Sequence, residues 1–194
     1  MLFIHHRKNL SQEIRFVPSK DGVEIDLRSS GERIYLQHDA FVQGEDFETW
    51  LDSWNGQFLV LNVKEEGLED RILKILMKRQ ISEYFFLDQS FPFLVRTLRK
   101  GNRKVAARVS DIESIETALA VNCEWVWIDC FNGDWSFLEN TIPRLVLAGK
   151  KICLVSPELV RVDSGIELDS LRSILRSIPF QVDAVCSKVV SLWE

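Results

Sequence analysis

The stretch FLVLNVKEEGLEDRILKILMKRQISEYFFL, residues 58–87, indicates the fold class of this chain. It begins with an apolar run of strand length, Phe58–Val63, and it ends with another, Tyr84–Leu87. Between them apolar residues recur at near-helical spacing, with acids early and bases late, which predicts a helix over residues 67–79. A strand, a helix and a second strand in this order predict a βαβ unit with parallel strands.

The same alternation continues along the whole chain. Apolar runs predict eight strands, which are Leu2–Ile4, Val23–Leu27, Phe58–Val63, Tyr84–Leu87, Val105–Val109, Trp125–Ile128, Ile152–Val155 and Val182–Val185. A ninth run, Ile34–Leu36, follows a Ser-Ser-Gly turn and predicts the return arm of a hairpin. Helices are predicted over residues 136–148 and 166–178, and the capping-box pattern Ser110-Asp111-Ile112-Glu113 predicts the start of another helix. Residues 8–22 show no convincing helical pattern.

Eight parallel strands joined by helices predict an α/β fold, a compact (β/α)8 TIM barrel that forms a single domain over residues 1–194. The chain has 194 residues, whereas such barrels usually have about 250, so the helices must be trimmed. The rival is a doubly wound sheet with six strands. No Gly-x-Gly-x-x-Gly turn follows the first strand to support that alternative.

Composition narrows the class of protein. Hydrophobic residues make up 46% of the chain and charged residues 27%, with a net charge of −5. This is ordinary globular composition, and the acidic balance argues against nucleic acid or an anionic membrane as a partner. No run approaches the ~20 apolar residues of a membrane span. The four cysteines lack metal-binding spacing, which predicts a reducing, cytoplasmic setting. The oligomeric state is left open.

Polar residues that follow the predicted strands are candidates for function, because barrel active sites lie at the carboxyl ends of the strands. All three histidines of the chain follow the first strand or the hairpin, as His5, His6 and His38. Further polar residues at strand ends include Asp88, Arg108, Asp129 and Lys188. A histidine at a strand end is more often a packed or surface group than a catalyst, so each residue alone is a weak signal.

A pair of acids lies within the second predicted strand. Glu24 and Asp26 are two residues apart, so their side chains share one face of a strand that is otherwise apolar. Two buried carboxylates on one face require a cation or hydrogen-bond donors. Oxygen ligands of this kind suit Mg²⁺ or Ca²⁺. Asn62 and Lys64 share a face at the end of the next predicted strand.

Taken together, these residues resemble the signature of the glycerophosphodiester phosphodiesterase family, within the phosphatidylinositol-phospholipase-C-like superfamily. That signature is His-Arg, then Glu-x-Asp, then His-Asp, and the chain has His6-Arg7, Glu24-Ile25-Asp26 and His38-Asp39. An acid-x-Lys follows in the family, where this chain has Asn62-Val63-Lys64. The motifs lie within residues 2–64, and later residues follow the strand rhythm and a similar last strand.

The resemblance implies a (β/α)8 barrel that cleaves a small phosphodiester with the help of a divalent metal, Mg²⁺ or Ca²⁺. It implies that His6 and His38 are the acid–base pair. Arg7 and Lys64 would contact the phosphate. Glu24, Asp26 and Asn62 would hold the metal. The resemblance does not distinguish hydrolysis from release of a cyclic phosphate.

The chain departs from the family pattern in three places. The Glu-Asn-Thr stretch and helix that usually follow His-Arg are missing, and the insertion after His-Asp is reduced to residues 40–57. Asn62 replaces a carboxylate, which removes one negative charge from the metal site and predicts weaker binding or recruitment of another acid such as Asp129. The alternative is a catalytically impaired barrel that binds a phosphorylated ligand without turnover.

A third hypothesis, beside the enzyme and the impaired barrel, is an interaction surface formed by the six tryptophans. Trp125 and Trp127 are predicted to pack in and around their strand. Trp50, Trp54 and Trp135 are predicted either to line the mouth of the site and stack on a substrate, or to pack against helices.

Overall fold

The computed structural model describes residues 1–160 and 165–194. Its strands are β1 (Leu2–His5), β2 (Gly22–Ser30), β3 (Arg33–Leu36), β4 (Glu45–Asp46), β5 (Phe58–Val63), β6 (Tyr84–Leu87), β7 (Ala106–Val109), β8 (Trp125–Ile128), β9 (Lys151–Val155) and β10 (Ala184–Ser187). Its α-helices are α1 (Ser11–Ile14), α2 (Phe47–Leu51), α3 (Glu69–Lys78), α4 (Phe91–Arg99), α5 (Ile115–Ala120), α6 (Leu138–Leu147) and α7 (Gly165–Ser177).

Eight parallel strands form one curled sheet. Their pairing runs β7-β8-β9-β10-β1-β2-β5-β6, and β3 and β4 extend β2 by antiparallel pairing. Between the two ends of this run lies a single bridge, Phe86–Val105, beside a hydrogen bond of 2.9 Å from the Phe86 amide to the Lys104 carbonyl. The predicted α/β class with alternating parallel strands and helices is therefore confirmed.

The side chains of each strand alternate between two apolar clusters. The larger cluster lies between the sheet and the helices and includes Leu61 of β5 and Ile72 of α3. The smaller cluster lies on the opposite face of the sheet and includes Val60, the chain neighbour of Leu61, and Phe85. Because successive strand residues point to opposite faces, this alternation also determines which polar side chains enter the interior of the curl.

All nine predicted strands are present. The last one begins two residues later than predicted, at Ala184, and the two-residue strand β4 was not predicted. The helices predicted over residues 67–79, 136–148 and 166–178 are α3, α6 and α7. Residues 8–22 contain one helical turn, α1, so the trimming expected there is confirmed.

The capping box at Ser110 does not start a helix, so that prediction is wrong. The Ser110 hydroxyl accepts hydrogen bonds from the Ile112 and Glu113 amides within a turn, at 3.1 and 2.8 Å. Helix α5 begins at Ile115 instead, where the Ser114 hydroxyl accepts from the Glu116 amide. Serine hydroxyls stabilise turns and helix N-termini by the same bond, so the pattern alone does not distinguish the two.

In the described part of the chain, no helix has both the length and the hydrophobicity needed to cross a bilayer.

Candidate active site

A cavity of about 200 Å³ opens at the carboxyl ends of the parallel strands. Its polar lining combines imidazole, carboxylate, amide, ammonium and guanidinium groups contributed by seven strands or the residues that follow them. These side chains belong to His6, Arg7, Glu24, His38, Asn62, Lys64, Asp88, Arg108 and Asp129. Six of the seven residues predicted from the sequence for catalysis, phosphate binding or metal binding therefore line this cavity. The seventh, Asp26, is fully buried and contacts two of them, Arg7 and Lys64.

Alternation along β1 explains which histidine enters the cavity. Ile4 packs in the inner apolar cluster, so His6, two residues later, points to the same side. His5 points to the other side, where its Nε2 lies 3.1 Å from Asp21 Oδ2. The His6 ring is mostly buried, and its Nε2 lies 3.8 Å from Glu24 Oε2. Burial and the charge of Arg7 lower the pKa of His6 to about 4, so the ring is neutral near pH 7.

Glu24 is fully buried and both of its carboxylate oxygens have partners. The Asn62 side-chain amide donates to Oε1 at 2.8 Å, and the Arg7 backbone amide donates to Oε2 at 2.8 Å. Arg7 adopts a left-handed backbone conformation with φ +50°. Burial and the neighbouring charge of Asp26 raise the pKa of Glu24 to about 7.

Asp26 is held by three different side chains. Lys64 Nζ lies 3.1 Å from Oδ1, Arg7 Nε lies 3.8 Å from Oδ2, and the Asn9 amide donates to Oδ2 at 2.8 Å. Asn9 also accepts from the Asp26 backbone amide at 2.9 Å. The sequence analysis missed Asn9, because nothing in the short loop after His-Arg distinguishes it from a surface residue.

Two buried oxygens of this cluster lack a hydrogen-bond donor. They are Asp26 Oδ1, which faces Lys64 without hydrogen-bond geometry, and Asn62 Oδ1. Asp26 and Asn62 are direct partners in the register between β2 and β5. Within residues 1–160 and 165–194, no three His, Cys, Asp or Glu side chains gather as a metal site. Asn62, which the sequence analysis predicted as the third metal ligand, is an amide and donates to Glu24.

His38 lies at the opening of the cavity and is partly exposed. Its Nδ1 lies 2.8 Å from Asp39 Oδ1, and the Arg28 guanidinium donates to the His38 carbonyl at 2.8 Å. Consecutive residues of a strand point to opposite sides. His38 and Asp39 meet because β3 ends at Leu36, so strand alternation does not apply to them. The bond lowers the pKa of Asp39.

The opposite wall of the cavity is ion-paired. The Arg108 guanidinium bonds to Asp129 through Nη1 and to Asp88 through Nη2. Asp88 Oδ2 also lies 3.7 Å from Lys64 Nζ. Burial raises the pKa of Asp129 to about 6 against the opposing effect of Arg108. Asp129 is thus engaged by Arg108, which is why it is not a free acid that could replace the carboxylate missing at Asn62.

The tryptophans do not line the mouth as one of the two predictions proposed. Trp50 and Trp135 are buried in the core at 0% and 1% exposure, and Trp54 donates to the Gln57 carbonyl at 2.9 Å. Trp127 lines the cavity instead, from the inner face of β8. Strand alternation at Trp125 and Trp127 is the signal that places both rings on that face.

Comparison with known proteins finds matches among solved structures only. No protein-family model and no curated protein matches the sequence. Solved structures do match. A glycerophosphodiester phosphodiesterase from Thermotoga maritima aligns with a TM-score of 0.75 and 14% identity over 100% of this chain and 96% of that one. A putative glycerophosphoryl diester phosphodiesterase from Agrobacterium tumefaciens aligns with a TM-score of 0.71 and 12% identity, over 99% and 95% of the two chains. The chain therefore has the fold of the glycerophosphodiester phosphodiesterases, and the resemblance suggested by its motifs is confirmed at the level of the fold.

Proposed function

We propose that this chain is a metal-dependent phosphodiesterase that cleaves a small glycerophosphodiester-like substrate. One observation carries the proposal: His6, Glu24, His38, Asn62 and Lys64 line one cavity. The shared fold with glycerophosphodiester phosphodiesterases supports the same reaction class.

Arg7 and Lys64 bind the phosphate. Both are cations that line the cavity, and both contact the same buried acid, Asp26. Negative charge grows on the phosphoryl oxygens as the transition state forms, and fixed cations stabilise it where it develops. The Arg7 side chain is 44% exposed, so its guanidinium is accessible to a phosphate oxygen.

His6 and His38 transfer the protons. His6 is neutral near pH 7 because its pKa is about 4, and a neutral imidazole accepts the proton of the attacking water or hydroxyl. His38 is oriented by Asp39 through Nδ1, which leaves Nε2 available to donate a proton to the leaving alcohol oxygen. His6 and His38 line the same cavity, so both rings face one bound substrate.

Glu24, Asp26 and Asn62 fit a divalent cation, Mg²⁺ or Ca²⁺. The fit rests on the two buried oxygens without hydrogen-bond donors, on Asp26 and on Asn62. Rotation of the Asn62 amide exchanges its nitrogen and oxygen, and the amide oxygen would then face Glu24 in place of the nitrogen. When bound, the cation would supply Lewis-acid stabilisation of the phosphoryl oxygens.

The proposal extends to the closure of the barrel, the domain organisation and the location of the protein. The eight parallel strands form a closed (β/α)8 barrel, which the Phe86–Val105 bridge supports, and residues 1–194 form a single domain. The four cysteines are buried as free thiols, which supports a reducing, cytoplasmic location.

The test is release of alcohol from glycerophosphodiesters by the purified protein with Mg²⁺, with Ca²⁺ and with EDTA. His6→Ala and His38→Ala should each lower the rate by about 10² or more, and EDTA should abolish activity. His5→Ala is the matched control, because His5 points away from the cavity, and it should retain the rate. Full activity of both catalytic variants would contradict the assignment.

Metal binding has its own measurement. Mg²⁺ or Ca²⁺ at millimolar concentration should raise the melting temperature of the wild-type protein, and Glu24→Gln should reduce that increase. The impaired-barrel alternative would appear as binding of a phosphorylated ligand without turnover. An absence of any metal-induced shift would favour that alternative.

A further inference from the structure

A second cavity of about 330 Å³ adjoins the candidate active site. It lies between β6 and β7 and is covered by α4 and α5. It shares three lining residues, Leu87, Asp88 and Arg108, with the active-site cavity. We call this second cavity the side chamber. Its position coincides with the part of the sheet where β6 and β7 are joined by a single bridge.

The boundary between the two cavities is built from charged groups. Arg108 reaches Asp88 on one side and Asp129 on the other, using both terminal nitrogens. Asp88 takes a left-handed backbone conformation with φ +60°, which costs energy for a residue other than glycine. Such a conformation directly after β6 places the Asp88 carboxylate where it lines both cavities.

Carboxylates outnumber cations in the lining of the side chamber. Its charged lining residues are Asp88, Glu113 and Arg108, so the lining has one net negative charge. Within the described residues, the Glu113 carboxylate forms no hydrogen bond or ion pair. Gln89 donates through Nε2 to Glu69 and Thr97, and its buried Oε1 has no partner. The exposed Glu113 carboxylate is therefore the unpartnered acceptor that the chamber offers, while the guanidinium hydrogens that face Asp88 and Asp129 are occupied.

The two cavities have opposite electrostatic character. The proposed phosphate contacts are the cations Arg7 and Lys64, whereas the side chamber is acidic. A diester with a negative phosphate and a positive charge on its alcohol matches both regions at once. Free acceptors favour a cation that carries N–H donors over one whose nitrogen is fully methylated.

We propose that the side chamber is the subsite for the alcohol group of the substrate and that it selects alcohols bearing a primary ammonium. Glu113 and the Asp88–Arg108–Asp129 array determine this specificity. The inference rests on the proposed phosphodiesterase function and adds to it the class of alcohol that is recognised.

The experiment compares three diesters of glycerol phosphate, carrying ethanolamine, choline or glycerol as the second alcohol. Wild-type protein should cleave the ethanolamine diester with a kcat/KM about tenfold above the other two. Glu113→Gln should reduce that ratio severalfold, chiefly through KM for the ethanolamine diester. Glu116→Gln is the matched control, because Glu116 pairs with Arg144 on the surface and does not line the chamber, and it should keep the wild-type ratio.

Equal or reversed preference, or a ratio that Glu113→Gln leaves unchanged, would overturn the inference. Calorimetric binding of the same diesters to His6→Ala separates it from the proposed catalysis. If wild-type protein cleaves no diester but this variant binds the ethanolamine diester most tightly, the subsite stands and the catalytic proposal falls. Equal affinities, or no measurable binding, would overturn the subsite.

Discussion

Neighbouring parallel strands pair differently at two places in the sheet. Between β2 and β5, six consecutive residue pairs are in register, from Gly22–Phe58 to Leu27–Val63. Between β6 and β7, the strands share the single bridge Phe86–Val105. Both regions carry buried polar groups into the same cavity. The continuous side, at β2 and β5, holds its acids by backbone and amide hydrogen bonds together with lysine and arginine. The bridged side, at β6 and β7, holds Asp88 and Asp129 mainly through Arg108, and Lys64 lies 3.7 Å from Asp88.

The two kinds of pairing have different consequences: one holds side chains in fixed positions, and the other leaves room for a cavity. A full ladder fixes the relative height of neighbouring strands, so Glu24, Asp26 and Asn62 are held in register, as the proposed metal site requires. A single bridge leaves the two strands free to diverge, and the side chamber occupies that gap. The proposed chemistry thus lies on the well-paired strands, and the proposed recognition of the alcohol lies at the gap.

A matched pair of core substitutions gives the largest expected effect. Leu61 on β5 is fully buried in the large cluster, whereas Leu87 on β6 borders both cavities. Leu61→Ala should lower the free energy of unfolding by about 3–5 kcal/mol and Leu87→Ala by about 2–3 kcal/mol, because less packing is lost beside an existing cavity. Urea unfolding measures both values. Equal losses of unfolding free energy would show that Leu87, beside the gap between β6 and β7, is packed as tightly as Leu61.

Removal of Asn9 tests the hydrogen bonds of the continuous side. Asn9→Ala deletes two bonds to Asp26 and leaves a buried amide hydrogen and a carboxylate oxygen with fewer partners. The free energy of unfolding should fall by about 1–3 kcal/mol. Asn122→Ala, at an exposed position between α5 and β8, should change it by less than about 0.5 kcal/mol. Similar values for the two variants would mean that Lys64 and Arg7 alone hold Asp26.

The smallest expected effect is a pH dependence on the bridged side. Burial raises the pKa of Asp129 to about 6 from its usual 3.8, so the folded state binds this proton more tightly than the unfolded state. The stabilisation that protonation provides is therefore present below about pH 4 and is lost as the pH rises through 6. Asp129→Asn should reduce the loss of unfolding free energy between pH 5 and pH 7.5 by about 1 kcal/mol. Urea unfolding of both proteins at the two pH values measures this difference. The same loss of unfolding free energy in the wild type and in Asp129→Asn would argue against the raised pKa.

The sequence by itself determined the order of the parallel strands, the presence of α3, α5, α6 and α7, and the face on which each strand residue lies, whereas α2, α4 and β4 were not predicted. Alternation in β2 and β5 was enough to place Glu24 and Asn62 on the face opposite Leu61. The boundaries were less accurate at α5, because serine caps a turn and a helix with the same bond.

Proximity between distant segments was decided by the tertiary structure. Asp88, Arg108 and Asp129 each follow or end a different strand, and their meeting depends on the curl of the sheet and on the register of β7 with β8. Asn9 reaches Asp26 because the shortened loop after β1 folds back over β2. Local sequence encodes the direction of a side chain through backbone periodicity, but the distance between two side chains on separate strands is set by how all the strands pack together.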